Sequence, residues 1–167
     1  MKTTFTSLIL LLGLHGALSL QAQEPGLKAA ALKIHEDYQE SIIHVKAVID
    51  IEIVVDGAAN QSQEQKLEVP GTIIDENGLT VVSNATIDVG KQIEQQIARQ
   101  VRGRQLEVKT TFKEVNLLLS DGTEIPSRVV MKDDDLDVAF VLPDAEEVEA
   151  EGVDFVFVPF PKDTPKA

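Results

Sequence analysis

Hydrolysis by a side-chain nucleophile needs a hydroxyl or thiol beside a base, and a carboxylate that holds the base in place. This chain of 167 residues has no cysteine and three histidines. Its most suggestive hydroxyl is Ser83, closing the run Leu79-Thr-Val-Val-Ser83, and its most suggestive carboxylate is Asp137, opening Asp137-Val-Ala-Phe-Val-Leu142. No histidine is placed to serve Ser83. His15 lies in an apolar leader, and His35 sits beside Glu36 and Asp37 in a helical segment. His44, the one strand histidine, could be a displaced base, but its pattern position turns it outward beside Lys46. Asp133, Asp134, Asp135 and Asp137 form an acidic patch of the kind that can hold Ca²⁺. The patch lacks the spacing and the glycine of an EF-hand, so the expectation is a solvated turn with no metal and no cofactor.

The elements that must position these groups read mostly as strands. Trp is absent, aromatics are 4% of the chain, and short Val and Ile runs must build the core, which favours strands. Residues 27–40 are the exception. Ala, Leu, Lys and Glu predominate there, and apolar residues at 27, 30, 31, 34 and 38 follow helical spacing. From Ile43 the period changes to two, with Val45, Ala47, Ile49, Ile51 and Ile53 on one face of a strand. Asp56-Gly57 breaks that strand, and residues 58–66 read as a polar loop. Residues 67–74 and 79–82 flank a hairpin turn at Asp75-Glu-Asn-Gly78. Residues 106–119 and 123–130 form a second hairpin around Ser120-Asp-Gly122, and residues 155–160 read as the last barrel strand. Within residues 88–109, Ile93, Ile97 and Val101 predict a short amphipathic helix ending near Gly103. Its Arg99, Arg102 and Arg104 are the only basic cluster. They read either as part of a surface helix capping the barrel or as a docking element for an acidic partner or a neighbouring subunit.

Two stretches resemble a known family. Gly71-Thr-Ile-Ile-Asp-Glu-Asn-Gly-Leu-Thr-Val-Val-Ser-Asn-Ala-Thr-Ile-Asp88, and then Asp135-Leu-Asp-Val-Ala-Phe-Val-Leu142, are similar to the first β-barrel lobe of the HtrA (Deg) type of trypsin-like serine proteases. There the first stretch reads roughly G-[FT]-I-I-D-x-x-G-x-[IV]-[VL]-T-N-x-H-V-V, with the His as base. The second carries the Asp that orients it. The stretch Leu119-Ser-Asp-Gly-Thr-Glu-Ile-Pro-Ser-Arg-Val-Val130 resembles the family's second hairpin. The resemblance covers about residues 38–160, less the insertion at 88–109. It implies an all-β fold, a six-stranded Greek-key barrel, to which the residue patterns add an N-terminal helix and a helical insertion. It places Asp137 at the triad Asp and Thr86 at the triad His. Threonine has no titratable nitrogen and cannot take the proton of a serine at neutral pH. The Gly-x-Ser-Gly signature of the serine-bearing second lobe occurs nowhere in the chain.

The organisation read from the sequence is an export signal over residues 1–22, a helical lead-in over 23–40, the barrel lobe over 41–160 and a disordered tail over 161–167. Lys2, the apolar run of residues 5–14 centred on residues 8–14, and the small residues Gly16, Ala17, Ser19 and Ala22 give the signal its form. The run is too short to span a bilayer, which takes about 20 apolar residues, so no membrane span is expected once the signal is gone. A net charge of −13 argues against nucleic acid as a partner, since phosphate binding needs clustered Lys and Arg. The expectation is a periplasmic or extracellular, catalytically inactive protease-like module that binds a protein partner or itself. Half of a split peptidase, and a secreted small-ligand or Ca²⁺-binding barrel, are the alternatives.

Overall fold

A computed structural model describes residues 25–160, apart from Arg102. The export signal expected over residues 1–22 and the tail expected over residues 161–167 therefore lie outside the described residues. Helix α1 (Pro25–Tyr38) leads through a 3₁₀ turn (Gln39–Ser41) into strand β1 (Ile42–Val55). Alternation decides what β1 buries. Ile43, Val45, Ala47, Ile49 and Ile51 are interior, whereas His44 and Lys46 face outward. Asp56 and Gly57, both at positive φ, form the two-residue turn that matches strand twist, and Val55 faces Ala58 across it.

β2 (Ala58–Ile73) then runs the length of β1. The expected polar loop at residues 58–66 is thus strand. Polarity misleads here because the segment need only bond its backbone to β1, with Gln63 opposite Ile51 and Gln65 opposite Ile49, while its outward side chains stay wet. At residues 75–78 the Asp75 carboxylate accepts the Asn77 amide at 2.9 Å, and Gly78 takes a positive φ under the ring of Phe155. A side chain at 78 would meet that ring at 2.5 Å, so the turn requires glycine.

β3 (Thr80–Ser83), the single turn α2 (Asn84–Ile87) and α3 (Gly90–Ala98) follow. The inserted helix exists but stops at Ala98, short of Gly103. β4 (Leu106–Leu118) returns along the other side of β1, β5 (Glu124–Asp133) reverses, and β6 (Val138–Pro143) pairs with β3. All pairings are antiparallel, and the ring β1-β2-β3-β6-β5-β4 is closed. The run β4-β1-β2-β3 has the spatial order of a Greek key. The all-β, six-stranded barrel expected from the sequence is therefore present.

The acidic run at residues 144–151 forms helix α4 (Ala145–Glu151). The Asp144 side chain caps it by accepting the Glu146 amide at 3.1 Å, and Gly152 ends it in the left-handed conformation. Glu146 and Glu147 sit in its first turn, where the helix dipole favours negative charge. Residues 155–160 are not a barrel strand, because the ring already closes through β6. They form an extended strap whose Phe155 and Phe157 pack on the core, and its Val158 amide donates to the Ile73 carbonyl at 2.9 Å.

The barrel interior holds Val45, Ile49, Ile73, Ile87, Leu117, Ile125 and Val141, all but sealed from solvent. Ile49 is at 0% exposure, on the strand that touches both β2 and β4. Ile49→Ala is expected to cost about 2–5 kcal/mol through lost burial and the cavity left behind. Urea unfolding read by circular dichroism measures it.

Candidate functional site

Barrel closure brings the two resemblance stretches together. Ser83 ends β3, and Asp137 ends the turn before β6, with Ser83 directly opposite Val138. Asp137 adopts a left-handed backbone conformation, which aspartate tolerates better than most residues. That turn aims its carboxylate at the start of α2. Oδ2 accepts the Ser83 hydroxyl at 2.8 Å, and Oδ1 accepts the Ala85 amide at 2.7 Å. The Asp137 carbonyl also accepts the Asn84 amide at 3.2 Å.

Thr86 stands exposed on the same helical turn, but its hydroxyl donates to the Ser83 carbonyl at 2.9 Å. The two residues that the resemblance sets at triad positions thus share a corner without bonding to each other through their side chains. Ser83 is an O–H donor to Asp137, and no imidazole lies between them. His44, on the outer face, pairs with Glu68 at 2.5 Å.

The acidic patch divides its work. Asp133 accepts the amides of Asp135 and Leu136 at 2.9 and 3.0 Å and so shapes the turn. Asp134 takes the Asn84 side-chain amide and the Lys91 ammonium, both at 2.7 Å, and Lys91 holds the Asp134 carboxyl below its usual range. Among the described residues no three His, Asp or Glu side chains converge as a metal would require.

The basic cluster lies elsewhere. Arg104 donates to Asp56 at 2.8 Å, and the Gln105 amide reaches the second Asp56 oxygen at 3.1 Å, clipping the β1–β2 turn to the start of β4. Both contacts, Arg104 first, lower the pKa of Asp56. Arg99 is exposed just past α3, and Arg102 lies outside the described residues. Arg104 therefore serves the hairpin tip, at the opposite end of β1 from the Asp137 corner.

Sequence reasoning missed Asp88, the most connected carboxylate near the corner. It accepts the Gly90 amide at 3.2 Å, the Thr110 hydroxyl at 2.8 Å and the Lys132 ammonium at 2.6 Å, and its side chain is only 16% exposed. Lys132 also lies 5.7 Å from the Phe112 ring centre. Asp88 thereby ties α2–α3 to β4 and β5. No motif marks it, because its partners come from three separate segments.

Comparison with known proteins adds nothing to this picture: no family model matches the chain, and no curated protein matches it. Among the described residues no helix is long and apolar enough to cross a membrane.

Burial opposes the charge on Asp88, yet the Lys132, Thr110 and Gly90 hydrogen bonds outweigh it and hold the carboxyl below its usual range. A carboxyl lowered on folding stabilises above its unfolded pKa of about 3.9, and that contribution fades as pH falls through the folded value. Asp88→Asn is therefore expected to lose roughly 1–2 kcal/mol at pH 7. The gap to wild type should shrink below about pH 4, as read by thermal melts across pH.

Proposed function

We propose that the chain is an exported, catalytically inactive domain of the trypsin-like serine protease type that acts by binding protein. One observation carries this reading. Both oxygens of Asp137 hold the backbone and side chain around Ser83, and the residue at the base position is a threonine bonded to a carbonyl. A carboxylate that orients a base has been turned into one that fastens two strands. The closed ring of six antiparallel strands is compatible with a lobe of that protease type. Export rests on the leader of residues 1–22.

A second reading, half of a peptidase that needs a partner lobe, draws on one feature. Leu136 is 72% exposed directly beside Asp137, where an apposed lobe would cover it.

Purified chain lacking the leader is expected to leave fluorescent casein intact over hours. Cleavage that disappears on Asp137→Ala would overturn the inactive reading. Crosslinked pull-down from the native exported fraction separates the two readings, because recovery of a chain with a trypsin-like serine lobe would favour the split peptidase.

A further inference from the structure

The ring is closed, yet β2 has a stretch of edge that no strand covers. β3 pairs with β2 only at Gly71, Thr72 and Ile73, whereas β1 follows β2 down to the turn. Residues 62–69 therefore have β1 on one side, and no described element pairs with the other. Two bonds at the end of the strand show which residues face that open side. The Ile74 amide donates to the Leu79 carbonyl at 2.8 Å, toward β3, while the Ile73 carbonyl turns the opposite way, to Val158. Bonding direction alternates along a strand, and the register of β2 from Gln61 to Thr72 is unbroken. Ser62, Glu64, Lys66 and Glu68 thus aim their N–H and C=O groups at the open edge. Pro70 shares their parity, where its missing N–H removes no bond to β1.

An edge of this kind is a template for another strand, and proteins commonly blunt it with charge or proline. Here the proline stands only at one end, and the charges at 64, 66 and 68 alternate in sign. Glu64 lies opposite Asp50 in the ladder, carboxylate beside carboxylate. Both lean on the single ammonium of Lys113, at 3.6 and 3.7 Å. Like charges set directly opposite each other destabilise a sheet, so this row is short of a cation at its open end. Lys66 is exposed two residues further on and has no ion-pair partner among the described residues.

We infer that residues 62–68 of β2 pair antiparallel with the same residues of a second copy of this chain, about a two-fold axis at Gln65. Glu64 then faces the partner's Lys66, Lys66 faces the partner's Glu64, and Ser62 faces the partner's Glu68. Each of these residues already points its bonding groups at its mate, so about eight main-chain hydrogen bonds close. The partner's Lys66 arrives at the end of the row that Lys113 begins. Other registers fail on the same residues. An axis at Glu64 or Lys66 sets like charges opposite each other, and an axis at Leu67 brings Pro70 against Glu64. An axis at Gln63 leaves Glu64 and Lys66 without opposite charges, and one between residues faces bonding groups with non-bonding ones. The two-fold contact is self-complementary and closed, as dimer interfaces are. It gives the proposed binding module its partner and rests on that reading.

Light scattering on the chain lacking its leader, at about 100 µM, is expected to give twice the monomer mass, since a useful dimer has a Kd well below that. Lys66→Pro removes an N–H from the open edge and none from the β1 ladder, so it should give monomer with an unchanged far-UV signal. Glu64→Lys and Lys66→Glu should each weaken the dimer about tenfold and recover wild-type affinity when mixed with each other. The chain has no cysteine, so an introduced one reports the register. Facing residues of a non-hydrogen-bonded pair have Cα atoms about 4.5 Å apart, within disulfide reach. Mild oxidation should therefore crosslink Gln65→Cys into a covalent dimer and leave Gln63→Cys uncrosslinked. A monomeric wild type, a dimer that survives Lys66→Pro, charge variants that do not recover on mixing, or equal crosslinking at both positions would overturn the inference. Casein assayed on the same fractions keeps the two claims apart: a monomer without hydrolysis sinks the strand pairing alone, and a dimer with hydrolysis sinks the inactive reading alone.

Discussion

The barrel depends on closure between its two shortest walls. β3 has four residues, and every one of them pairs with β6. Without that ladder the ring would open into one six-stranded sheet with β3 and β6 as bare edges, and Val82, Ala139 and Val141 would lose their enclosure. Four residue pairs are a narrow seam for a domain of this size. The Asp137 carboxylate reinforces it from the end, since Asp137 belongs to the turn entering β6 while its ligands Ser83 and Ala85 leave β3. The positive φ at Asp137 is a local strain accepted to aim both oxygens across the seam.

This arrangement changes what the corner can do. Catalysis by a serine hydroxyl needs a neutral base to accept its proton as the nucleophile attacks. A hydroxyl donating directly to a carboxylate, whose other oxygen holds a backbone amide, is a structural hydrogen bond. Asp134 and Asp88 extend the same logic outward, each carboxylate joining one inserted helix segment to the barrel through Asn84, Lys91, Thr110 or Lys132. The whole acidic region acts as fastening for the insertion.

Much of the fold was legible because period-two alternation and turn chemistry are local signals. The buried face of β1, the Asp56-Gly57 and Asp75–Gly78 turns and the amphipathic insertion could all be read from neighbouring residues. Three features could not. The polar half of β2 is a strand because β1 offers it a ladder, which its own side chains do not announce. The strap at residues 155–158 has strand composition, yet the ring is complete before it. The acidic run after Pro143 is helical because Asp144 caps it and Gly152 ends it, signals that a count of charges conceals. At the corner, the resemblance brought Ser83, Thr86 and Asp137 to the same place, but hydrogen-bond direction separates a triad from a fastening, and direction is not written in sequence.

The most direct test of this account is the unfolding free energy of Asp137→Gly against wild type, measured by urea titration. Glycine accepts the left-handed conformation of this position without strain, so the comparison isolates the carboxylate bonds to Ser83 and Ala85. If Asp137 fastens the β3–β6 seam, stability falls by roughly 1–2 kcal/mol. An unchanged unfolding curve would contradict the account and return Asp137 to the role of a chemical group awaiting a base.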